Sequence, residues 1–113
     1  MLVASTKPPA GLGPAGRALW RRIHEDYDLA EHERRLLVEA SRTADTLDML
    51  DAAVRRDGLI GGDGRVHPAA VEARQQRVVL TRLVASLRVP DEEEQRPQRR
   101  GAARSPYRPR VVS

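Results

Sequence analysis

The segment from Leu29 to Gly58 reads LAEHERRLLVEASRTADTLDMLDAAVRRDG, and its spacing decides the fold. Leu29, Leu36, Ala40, Thr43, Leu47, Leu50 and Val54 form one stripe. From Leu36 onward the steps alternate between four and three, the seam spacing of packed helices. Leu37 and Ala44 widen the stripe toward a second neighbour. Asp28 with Glu31 reads as a capping box that opens this helix. Gly58 closes it at about residue 57. Glu31–Arg35 and Arg42–Asp45 are expected to pair along its outer side. Asp45, Asp48 and Asp51 read as a solvated face.

Two shorter helices flank it. Pro14 suits a first helical position, because it lacks the amide that would go unpaired there. From it Leu19, Trp20, Ile23 and Tyr27 share one face of a helix over about 14–27. Pro68 opens a third helix over about 68–88, with Ala69, Ala73, Gln76, Leu80, Leu83, Val84 and Leu87 on one face and Pro90 ending it. Val71 and Val78 point almost opposite that face, one heptad apart. With Leu37 and Ala44 they are candidates for an interface with another subunit. Gly61, Gly62 and Gly64 around Asp63 predict a Gly-rich connector or minimal hairpin over 59–66. The fold class is therefore all-α with three main helices. Its organisation is a flexible arm over 1–11, a helical unit over 12–90, and a disordered acidic-then-basic tail over 91–113.

Composition narrows the function. With 113 residues the chain has room for one small domain, whose core gains from oligomerisation. It has no Cys, which excludes disulfides and thiolate metal sites. No apolar run is long enough to span a membrane. Met1–Lys7 does not read as a secretory signal, so a soluble intracellular protein is expected. The stretch through Glu94 holds all 16 acids and 14 of the 20 bases. From Gln95 onward Arg96, Arg99, Arg100, Arg104, Arg108 and Arg110 stand with no acid among them. Nineteen of the 20 bases are Arg, which also fits a GC-rich coding bias.

No enzyme constellation emerges, and neither a cofactor nor a metal is expected. Gly11-Leu12-Gly13-Pro14-Ala15-Gly16 matches the glycine pattern of dinucleotide sites, but no strand precedes it and no βαβ unit follows. His24, His32 and His67 have no ligand spacing. Ser41 lacks a base and an orienting acid nearby in sequence. The basic tail is the strongest signal. Its arginines can contact phosphates, and Tyr107 among them can stack on a base. The same tail also fits docking on an acidic protein, or solubility alone. Arg34, Arg35 and Arg42 line the long helix's outer side and are further DNA-binding candidates. A short helix, a turn and a second helix also resemble a helix-turn-helix, although the second helix is long for a recognition helix.

The sequence also resembles the small terminase subunits of tailed double-stranded DNA bacteriophages. The resemblance spans about residues 10–92. It rests on Gly11–Gly16 with Leu19-Trp20, Tyr27 to Leu37, and Ala40 to Ala44 with Asp45. It continues through Asp57-Gly58-Leu59, Val66-His67-Pro68-Ala69, Glu72-Ala73-Arg74 and the Leu83–Pro90 helix end. One departure is the brief, Gly-rich connector before His67-Pro68, which is longer in family members. The resemblance implies a noncatalytic DNA-packaging protein, acting in the bacterial host cytoplasm during phage assembly. Such a protein recognises double-stranded viral DNA and assembles as a homo-oligomer, typically a ring. It loads or regulates a large terminase subunit, which supplies the ATPase and nuclease activities. A helix-turn-helix DNA-binding regulator and a protein-interaction scaffold are the alternatives.

Overall fold

A computed structural model describes residues 6–87. Within them lie three helices: α1 (Pro14–Asp26), α2 (Glu31–Asp57) and α3 (Pro68–Ser86). The described residues are all-α, as the periodicity predicts. The arm's first five residues, Pro90 and the whole basic tail fall outside the described residues.

α1 runs antiparallel along the first half of α2. Its start meets Asp45, while Trp20 and Ile23 further along pack with Leu37 and Ala40. The 14 steps from Glu31 to Asp45 rise about 21 Å at 1.5 Å per residue, close to the length of α1. α3 returns antiparallel along α2, so that Leu87 at its end joins the same core as Trp20 and Leu37. Trp20, Leu37 and Leu87 are its largest fully buried apolar side chains. Leu29, Leu36, Leu80 and Leu83 pack against them from the margin.

Several local expectations are corrected. α2 does not start on an Asp28 cap. Its N-cap is Ala30, in extended conformation, and Glu33 reaches back to accept the Ala30 amide at 2.7 Å. Leu29 stays outside the helix and packs on the core, which moves the helix start two residues on. α3 stops at Ser86 rather than near 88, and Leu87 turns inward as its C-cap. Leu37 is completely buried within its own chain. The second neighbour that widened the stripe is α1, so Leu37 offers no oligomer surface. Ala44 is half-buried. Val71 and Val78 are exposed, as expected.

The described part of the arm is tied down. The Trp20 indole donates to the Thr6 carbonyl at 2.7 Å, and Leu12 is buried. Gly58 ends α2 at φ +91°, a conformation that costs a residue without Cβ little, and its amide donates to Val54 O at 2.7 Å. Of the two forms expected for the connector, it takes the minimal hairpin. Ile60 and Val66 make one antiparallel bridge. The Gly61 amide donates to Arg65 O, and the His67 amide to Leu59 O.

Candidate nucleic-acid interface

The three helical candidates differ in availability. The Arg34 side chain is only 21% exposed and pairs with Glu31 at 3.2 Å. Its Nε is buried with no partner. Arg34 therefore leans into the protein rather than lining an outer face. Arg35 and Arg42 are exposed, but both turn to Glu39, at 3.3 and 3.6 Å. The expected Glu31–Arg35 and Arg42–Asp45 pairs are replaced by Glu31–Arg34 and Arg42–Glu39. An Arg–Glu–Arg cluster leaves one uncompensated positive charge for a phosphate to meet. Surface pairs of this kind hold together weakly, by up to about 1 kcal/mol, so a polyanion can compete for either arginine.

The remaining candidates are Arg96, Arg99, Arg100, Arg104, Tyr107, Arg108 and Arg110, and all lie outside the described residues.

Asp45 has a role its spacing did not reveal. Its carboxylate accepts the Gly13 and Gly16 amides, each at 2.7 Å. Gly13 is the N-cap of α1 and has no side chain to cap the helix itself. Asp45 thus supplies, from the middle of α2, the negative charge that a helix start favours. A Cβ on Gly16 would strike Asp45 Oδ2 and lie 2.6 Å from the Ser41 carbonyl. The glycines that mimic a phosphate loop serve a close helix–helix approach. The amides such a loop would offer an anion are already taken by a carboxylate of the same chain.

His67 is a second functional side chain that spacing alone missed. Its Nδ1 accepts the Ala69 amide at 2.9 Å and so caps α3. Its Nε2 lies 3.0 Å from Asp57 Oδ2. Nδ1 must be unprotonated to accept, so Nε2 carries the hydrogen and donates to Asp57. Arg56 and then His67 hold the Asp57 carboxyl down from its ordinary 3.8 to about 2. The readable signal was position: the residue before a Pro at the first helical position is the N-cap. His24 is nearly buried. Its Nδ1 donates to Trp20 O at 3.0 Å, and its ring lies 4.6 Å from the indole. His32 is exposed. Among the described residues no group of three or more His, Asp or Glu is placed to hold a metal. No described helix is long and apolar enough to cross a membrane.

Compared with protein-family models, with curated proteins and with solved structures, the chain has no match in any of the three.

Proposed function

We propose that this chain is a noncatalytic DNA-packaging protein of the small-terminase type. In this reading it gathers phage DNA and hands it to a large motor subunit that carries the ATPase and nuclease. The observation that carries the reading is the division of charge. The chain through Glu94 has slightly more acid than base, and the last 19 residues hold six Arg and no acid. A charge-balanced helical body with a phosphate-seeking terminal segment suits a protein that holds DNA without reading every base. The ordered motif series from Gly11 to Pro90 supports the family assignment. The exposed Val71 and Val78 support a homo-oligomer. A ring would sum weak tail contacts by avidity.

The antiparallel lie of α1 on α2 gives no support to the helix-turn-helix alternative, whose two helices cross steeply. Arg34, near the start of α2, is also largely covered.

The test is DNA retention by the full chain and by a chain ended at Glu94, across a salt series. The full chain should retain double-stranded DNA at low salt and release it steeply as salt rises. The shortened chain should keep its helicity and lose most retention. Equal retention by both would remove the tail from the account. No retention by either would leave a protein-interaction scaffold as the better reading.

A further inference from the structure

α1 covers α2 only as far as Asp45. Beyond it, the side of α2 that α1 would have covered carries Asp48, Met49 and Ala52. All three are exposed, and Met49 is 67% so. α3 has a bare face of its own. At 100° per residue Val71, Val78 and Arg82 lie opposite the inward-facing Ala73, Leu80 and Leu87. Val71 and Val78 are 45% and 46% exposed. Arg74 flanks them, also exposed.

The two faces carry opposite charge at their apolar centres, Asp48 beside Met49 and Arg82 beside Val78, with Arg55 about two turns further along α2. Between Arg42 and Arg55, α2 has three carboxylates and no base. After Glu72, α3 has three arginines and no carboxylate. One pair is already made within the chain, Arg77 to Asp51 at 3.0 Å. Asp45 is occupied by α1. Asp48 on one face, and Arg74 and Arg82 on the other, have no ion pair with any described residue. Each face therefore offers a flexible or branched apolar centre with an uncompensated charge beside it, and the charges are opposite.

We infer that the Asp48–Met49–Ala52 face of one copy docks on the Val71–Val78 stripe of a second copy, with Asp48 set against Arg74 and Arg82. The Arg77–Asp51 contact inside the chain is the pattern repeated between chains. The two faces are different surfaces, so the contact is head-to-tail. Such contacts close into a ring when the rotation per copy permits. Met49 suits this role, since an unbranched thioether adapts to the gap between two valines. The inference supplies the contact for the oligomer in the proposed function and rests on that part of it. It stands apart from DNA binding.

The experiment is mass by sedimentation of the full chain and of charge-reversed variants, with DNA retention measured on the same samples. The variants are Asp48→Arg and the double Arg74→Glu/Arg82→Glu. Each should fall from the multi-subunit mass toward the single-chain 12.6 kDa, with thermal unfolding by circular dichroism unchanged. Mixing the two variants should restore assembly, because each reversed face then meets its complement. Assembly unaltered in both variants overturns the inference. So does dissociation that mixing fails to rescue. A wild-type chain that stays at 12.6 kDa throughout assigns these faces to another protein and also overturns it. Assembly that follows the charge swap in a chain that retains no DNA upholds the interface while the DNA reading fails.

Discussion

The two ends of α2 are finished differently. At the α1 end Trp20, Leu37, Ala40 and Leu87 share one buried core, and a carboxylate from α2 closes the start of α1. At the hairpin end Leu59, Ile60 and Val66 are about half exposed. The polar ties there, Asp57–His67 and Asp51–Arg77, lie at the surface. At this same end Ala73, on the inner face of α3, is almost fully buried. One end buries its apolar groups within the chain and ties the start of α1 with a carboxylate. The other holds its shape with local hydrogen bonds and leaves apolar surface uncovered. The first is where stability resides, and the second is where another molecule can add contacts.

That contrast breaks most visibly at Leu37. Leu37→Ala should lower the unfolding free energy by about 2–5 kcal/mol, the usual cost of emptying a fully buried leucine site, read by denaturant unfolding. A loss under about 1 kcal/mol would mean the α1 end is not the core. Asp45→Ala comes next, at about 2–3 kcal/mol, because two charge-assisted hydrogen bonds vanish and the amides at the start of α1 go unpaired. An unchanged midpoint would show that water caps α1 equally well. At the hairpin end His67→Ala should cost about 1 kcal/mol, the scale of a lost helix cap. A cost as large as that of Asp45→Ala would erase the distinction between the ends.

The smallest effect is one of acidity. The folded Asp57 carboxyl is held at about 2 against an ordinary 3.8. Its contribution is therefore present above the unfolded value. It is lost as pH falls from near 4 through 2. Asp57→Asn should make that stretch of the acid-unfolding curve shallower. A curve of unchanged slope there would mean that Arg56 and His67 do not hold this carboxylate in solution.

Much of the fold was legible in the sequence, because helices announce themselves by period and by punctuation. Pro14, Gly58 and Pro68 mark three of the six helix ends at or beside the observed residue. The α2 stripe predicted the packing of Ala40 and Leu47, both buried. What was missed involves side chains that act across sequence distance. Asp45 looked like one of three evenly spaced surface acids. Its partners lie 32 and 29 residues away, and no local rule links them. Leu37 looked like a surface for another chain because periodicity shows that a second neighbour exists, not whether it belongs to the same molecule. The arginine pairs went astray for a different reason. Several i,i+3 and i,i+4 partners were open to each, and differences of a few tenths of a kcal/mol decide among them.

The most direct test of the account is the absolute mass of the full chain by light scattering across a concentration series. A discrete mass of many subunits, stable on dilution, is the result predicted for a helical unit whose far end is completed by further copies. A mass of 12.6 kDa at every concentration, with DNA present or absent, would contradict it.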